Sequence, residues 1–154
     1  MAEYSANAVQ TVNPGESIVF TDAPVPCERG FVRHRDDSGN FLLSGVVYWP
    51  GCRCCRKNNA TYSVDFGANI AIPEGGTVGD ISVAIAIDGS TVPASEMIVT
   101  PSAVNEYWNI SRAINIQVWS GCCETVTIRN TSDQAILVQN ANVIFGRPDL
   151  VVSR

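Results

Sequence analysis

Six cysteines stand in three tight clusters: Cys27, Cys52-Arg-Cys54-Cys55 and Cys122-Cys123. Thiols spaced in this way support two kinds of chemistry, oxidation to disulfides or ligation of a soft metal ion. Adjacent cysteines rarely bond to each other, because the vicinal ring is strained. Bonds between clusters are therefore favoured, joining Cys27 or one of Cys52, Cys54 and Cys55 to Cys122 or Cys123. Six cysteines allow fifteen pairings, and spacing does not choose among them. The alternative is a structural zinc ion held among Cys52, Cys54, Cys55, Cys122 and Cys123. Such sites usually pair cysteines through a short spacer of two to four residues. Cys52 and Cys55 meet that spacing; Cys122-Cys123 does not supply a second such pair. Disulfides are the preferred reading, with metal as its rival.

Other residues that could do chemistry have plainer explanations. His34, within Arg33-His-Arg35, is the single histidine. A catalytic cysteine–histidine dyad would have to use this residue, and a surface or interface role is the stronger expectation. Asp36-Asp-Ser-Gly-Asn40 holds clustered oxygen ligands, but its residues are turn formers and it lacks the later bidentate Glu of a calcium loop. Gly75-Gly76-Thr-Val-Gly79 lacks the Lys-Ser/Thr and the following helix of a phosphate loop. Trp49, Tyr107, Trp108 and Trp119 are large aromatics near strand ends. They are candidates for stacking on a glycan or anchoring a partner. No residue set forms a catalytic group or calls for a cofactor, so the chain is expected not to be an enzyme.

The elements that must position these groups are almost all strands. Val, Ile, Thr and Ala fill short runs bounded by Gly, Pro, Asn and Asp. Strands are expected over residues 17–20, 31–35, 41–48, 60–72, 80–87, 91–100, 107–119, 125–130 and 135–146. Period-two alternation is plain in Tyr62-Ser-Val64-Asp-Phe66 and in Ile114-Asn-Ile116-Gln-Val118, which implies sheets with one buried face. Asp88-Gly89 between apolar runs is a hairpin signal. Pro73-Glu-Gly75-Gly76 and Asn130-Thr-Ser-Asp133 are turns. If successive strands reverse direction, the loops 49–59 and 120–124 and the Asp88-Gly89 turn share one end, and Cys27 joins them. His34 falls towards the other end. The expected fold is an all-β jelly-roll sandwich. Residues 1–26 are expected to form either a first strand or an extended arm for capsid attachment, and 27–154 the sandwich domain.

Size and charge narrow the function classes. A chain of 154 residues is one domain and can bury a substantial core unaided. Charged residues make up 16%, which is low for a soluble surface and points to hidden oligomer interfaces. The net charge of -5 and the absence of a basic stripe exclude nucleic acid as the expected partner. Met1-Ala-Glu-Tyr-Ser shows no secretory signal pattern, and no apolar run has the length of a membrane span. A protein made in the cytoplasm and later released, as a virion part would be, reconciles this start with paired cysteines.

Several segments carry a resemblance. These are Ala68-Asn-Ile-Ala-Ile-Pro-Glu-Gly-Gly-Thr-Val-Gly79, Val83-Ala-Ile-Ala-Ile-Asp-Gly89, Met97 through Tyr107, Gly121-Cys-Cys123, Asn130-Thr-Ser and Val138-Gln-Asn-Ala-Asn142. Together with the opening ten residues they resemble a family of small, poorly characterised proteins encoded by phages and prophages of gut anaerobes. The strand pattern resembles the tumour-necrosis-factor-like jelly roll of complement globular heads, whose members form tight trimers. The collagen stalk of the collagen-tailed branch is missing. The resemblance implies a homotrimeric virion protein, decorating a capsid as a head-fibre or cement protein and contacting the phage major capsid protein. The alternative is a carbohydrate-binding or adhesion module that meets host-surface glycans. Neither reading implies catalytic residues.

Overall fold

The structure, a computed structural model, describes residues 1–27, 30–35, 37–45, 59–119 and 123–148. Among the described residues, twelve strands form two six-stranded antiparallel sheets. In chain order they are β1 (Ala2–Ala6), β2 (Gln10–Val12), β3 (Asp22–Val25), β4 (Val32–His34), β5 (Phe41–Ser44), β6 (Asn59–Ala71), β7 (Ile81–Ile87), β8 (Ser90–Thr91), β9 (Met97–Val99), β10 (Trp108–Trp119), β11 (Cys123–Asn130) and β12 (Ile136–Gly146). Sheet A has the order β10-β6-β12-β1-β3, with β2 also on β12. Sheet B has the order β4-β5-β11-β7-β8, with β9 also on β7. Chain neighbours such as β6 and β7, or β10 and β11, lie in different sheets, so the chain crosses repeatedly between the layers of a jelly roll.

The core is what alternation demands. Tyr62, Val64, Phe66, Ala68 and Ile70 of β6 point inward, facing Phe41, Leu43, Val83, Ile85, Val126 and Ile128 of sheet B in one buried cluster. The Asp88-Gly89 turn forms as expected: both residues take left-handed φ values, 50° and 87°, which the tight hairpin between β7 and β8 requires. Gly39 is needed for a different reason. A Cβ there would lie 2.4 Å from the Ile18 carbonyl oxygen, so the β4–β5 hairpin can press against the 17–20 segment only without a side chain.

Of the two forms expected for the opening stretch, its first residues are strands of the sandwich: β1 is inserted between β12 and β3, and Ala2, Tyr4 and Ala6 are buried. Two expectations are corrected. Residues 17–20 are extended but make only isolated bridges, Ser17 with Arg129 and Phe20 with Ser38. The Gln10 side chain takes the place of a neighbouring strand there. Its amide donates to the Val19 carbonyl and accepts from the Val19 N–H, both at 2.9 Å. The expected strand over 91–100 is broken by a 3₁₀ turn at Pro93–Ser95. Pro93 offers no N–H for the ladder, and buried Ser95 stands in for a strand by accepting from Ile85 N–H at 2.9 Å.

Candidate functional site

The registers bring the strand ends that flank the cysteine-bearing segments to one end. Trp119 pairs with Asn59, Cys123 pairs with Ser44, and the Asp88 amide donates to the Thr125 carbonyl at 2.8 Å. Cys27 follows edge strand β3, half-buried against the core, and its backbone hydrogen-bonds to Tyr4. Burial, then the nearby Cys27 thiol, pushes the Tyr4 phenol up. Cys123 is exposed. Cys52, Cys54, Cys55 and Cys122 lie outside the described residues, as does Trp49. The described part of this end is closed by a cation–π stack: the Arg147 guanidinium sits 4.8 Å from the Tyr62 ring centre and 5.7 Å from that of Phe31. The Tyr62 hydroxyl reaches the carbonyls of Ser44 (2.5 Å) and Phe31 (3.1 Å), tying β6 to β5.

Among the described candidate aromatics, Trp119 does not converge with Tyr107 and Trp108. Trp108 pairs with Ile70 and Trp119 with Asn59, at opposite ends of β10. At the usual rise of a strand they stand roughly 36 Å apart. Tyr107, Trp108 and Trp119 are all substantially exposed. Trp108 donates its indole N–H to Glu106, whose other oxygen accepts from Ser102 N–H, Ser102 O–H and Ala103 N–H. Those bonds hold the Glu106 carboxyl below the usual carboxylate range, with the Ser102 hydroxyl contributing most.

His34 is a packed residue. Its ring stacks on Phe41 at 4.7 Å and tilts against Tyr4 at 4.9 Å. Nε2 lies 2.9 Å from the Ser38 carbonyl, so Nε2 carries the proton and the ring braces the β4–β5 hairpin. No group of three His, Cys, Asp or Glu side chains fit to hold a metal ion occurs among the described residues.

A hollow of about 390 Å³ lies on β6 and β10, lined by Asp65, Phe66, Ser111, Arg112 and Ala113, and two more lie on the outer face of sheet B. A cleft of about 440 Å³ is lined by Arg33, His34, Arg35, Asn40, Leu42 and Thr125. A smaller one of about 190 Å³ shares Arg33 and Leu42 and extends to Gly30, Ser44 and Cys123. The sheet register builds the row: Arg33 of β4 lies opposite Leu42 of β5, which lies opposite Thr125 of β11. Arg35 is two residues further along, beside Asn40, whose carbonyl accepts from the Arg35 N–H at 3.4 Å. The sequence signals this site only through the basic residues around His34. Leu42 and Thr125 join it through strand pairing, which no local pattern announces.

The outer face of sheet A is different. On β10, β6, β12 and β1 the outward positions are filled by Asn, Ser, Thr, Gln, Gly and a few apolar residues, and only Asp65 and Glu3 among them are charged.

No family model matches the chain, and no curated protein matches it. Solved structures do match over nearly the full length. The globular domain of zebrafish complement 1qA protein is 11% identical, with a TM-score of 0.54 over 99% of this chain and 97% of that one. Eiger TNF from S. frugiperda is 9% identical, with a TM-score of 0.64 over 99% of this chain and 93% of that one. At such identities the likeness is one of fold: this chain is a jelly-roll sandwich of the complement-globular-head and tumour-necrosis-factor type.

Proposed function

We propose that this chain is a structural virion protein that self-associates as a homotrimer and decorates a bacteriophage capsid. The observation that carries the reading is the outer face of sheet A. Its outward positions on four strands carry two charges, Asp65 and Glu3, and exposed Arg112 lines a hollow beside Asp65. Long charged side chains resist burial, whereas Asn, Ser, Thr and Gly can be covered by a like surface at small desolvation and entropy cost. Closed rotational symmetry is the usual way a soluble chain covers such a face. The phage setting rests on the sequence resemblance. In this reading the exposed edge strand β3, with Pro24 in it, is the part of the N-terminal stretch that meets the capsid protein. In this reading inter-cluster disulfides close the cysteine end after release from the cell.

Two measurements test this. Light scattering of the purified chain is expected to give three times the chain mass; a monomer at micromolar concentration refutes the trimer. Mass spectrometry of phage particles from a strain that expresses the protein is expected to find it in the virion; its absence refutes the decoration role.

A further inference from the structure

We infer that the cleft across β4, β5 and β11 is a binding site for an acidic oligosaccharide, whose carboxylate or sulfate is held between Arg33 and Arg35. The inference does not depend on the capsid reading. Four observations carry it. Both arginines are exposed, Arg33 on β4 and Arg35 just past its end, separated by one residue, so about 7 Å of backbone lies between their bases. Neither guanidinium is engaged in a hydrogen bond or ion pair among the described residues. Two uncommitted guanidiniums beside a concave surface are a feature of note on a chain of net charge -5. Their planar forks match the geometry of a carboxylate or sulfate.

The rest of the lining favours a sugar over a peptide. The Asn40 amide and the Thr125 hydroxyl flank the cationic pair, and Leu42 is the apolar side chain between them. Neighbouring strands are about 4.8 Å apart, close to the length of a pyranose ring. The row Arg33, Leu42, Thr125 therefore offers a charge, an apolar floor and a hydroxyl at successive strands. A peptide ligand needs apolar pockets for its side chains or a long free edge for strand addition. Among the described lining residues Leu42 is the one aliphatic side chain, and edge strand β4 spans only Val32–His34. The smaller cleft that shares Arg33 and Leu42 lengthens the groove, so an oligomer of sugars can extend along it. The Asp88 carboxylate, which approaches β11 here, is occupied in accepting from Thr125 N–H at 2.8 Å.

Calorimetric titration of the full chain tests the inference with four probes: a carboxylated oligogalacturonate, a sulfated oligosaccharide, a neutral oligosaccharide of equal length and a polyglutamate peptide. The carboxylated or the sulfated sugar is expected to bind saturably, more weakly as salt rises, and the neutral one not at all. Which acidic sugar binds identifies the anion. Arg33→Gln and Arg35→Gln are each expected to weaken binding roughly tenfold or more, with melting temperatures unchanged. Arg129→Gln, elsewhere on sheet B, is expected to leave affinity within about twofold. Failure of both acidic sugars to bind overturns the site. So does undiminished binding by both arginine variants. Equal or tighter binding of polyglutamate overturns the assignment to sugar.

Discussion

Thr61, Ser63, Asn69, Asn109, Asn115 and Gln117 stand on the outside of sheet A; Arg33, Leu42, Thr125 and Arg129 stand on the outside of sheet B. The inner faces of the two sheets are alike, filled by Ile, Val, Phe and Ala in one cluster. The difference therefore owes nothing to folding. A face of mostly short uncharged groups suits a large, dry, self-complementary contact. A face with a grooved cationic row suits a small, wet, charged ligand. One sandwich can serve both because strand alternation lets outer residues vary while the inner set is kept.

The largest expected effect comes from removing the first strands of sheet A. Deleting residues 1–12 takes away β1 and β2, and with them the buried Tyr4, which packs on Phe41 at 4.9 Å and His34 at 4.9 Å. Loss of one buried aromatic alone costs about 3–5 kcal/mol, against a total stability of roughly 5–15 kcal/mol. The truncated chain is expected to show no cooperative melting transition by circular dichroism. A truncation that still melts cooperatively would mean that sheet B and the remainder of sheet A form a domain without β1.

Next in size is a charge placed on the neutral face. Asn115→Arg and Ser111→Arg together put cations on exposed positions of β10. Like charges brought together at an interface cost several kcal/mol, while exposed substitutions leave the fold within about 0.5 kcal/mol. Light scattering is expected to show monomers that melt normally when dilute. The matching change on sheet B, Arg129→Glu, is expected to leave the oligomer intact. A trimer that survives the first pair and fails with the second would exchange the roles of the two faces.

A third prediction concerns a buried bond set that links β11 to sheet A. The Asn130 amide donates to the carbonyls of Val12 and Gln134, each at 2.9 Å, and its oxygen accepts from Ser132 N–H at 2.8 Å. Asn130→Ala leaves those groups unmatched in a site that is almost fully buried. The expected loss is about 3 kcal/mol, read as a shift in the urea midpoint. A change below about 0.5 kcal/mol would show that water replaces the side chain there.

What could be read from the sequence follows from how local each cause is. β6, β7, β10 and β12 carry period-two apolar runs, and Asp88-Gly89 has one good conformation, so these were legible. β1 was legible only as one of two options for the opening stretch, because Ala2 and Ala6 fill inward positions without looking apolar beside Glu3 and Ser5. The break at Pro93–Ser95 could have been anticipated from the proline, but the role of Ser95 depends on its partner Ile85, ten residues away. The same limit holds for the candidate site. Arg33 and Arg35 announced a basic spot. Its floor and its hydroxyl come from β5 and β11, which strand pairing alone brings to its side. The spread of the aromatics had the opposite cause: Trp108 and Trp119 are near in sequence, but a strand holds its two ends apart.

The smallest predicted effect sits where the two sheets meet at the cysteine end. Glu124 is opposite buried Leu43 and two residues before buried Val126, so alternation turns it towards the interior as β11 enters the core. Burial first, and the charge of Asp88 second, push its carboxyl up. Asp88 is fixed in place by the pair of bonds it makes with the Thr125 backbone. A carboxyl raised in the folded state binds its proton more tightly there than in the unfolded chain. Its contribution to stability is therefore full at low pH and declines as pH rises from the ordinary glutamate value, about 4.3, through the raised one. Glu106, in its shell of donors, has the opposite sign: its contribution is full at neutral pH and is lost as pH falls through its lowered value. Glu124→Gln is expected to melt at or slightly above the parent at pH 7, with the difference vanishing near pH 3. Glu106→Gln is expected to melt below the parent at pH 7, again converging in acid. Melting curves of both variants at the two pH values decide the matter. A destabilised Glu124→Gln at pH 7 would mean that the carboxylate has a cationic partner at this end, and that the charge asymmetry between the two sheets extends into the cysteine loops.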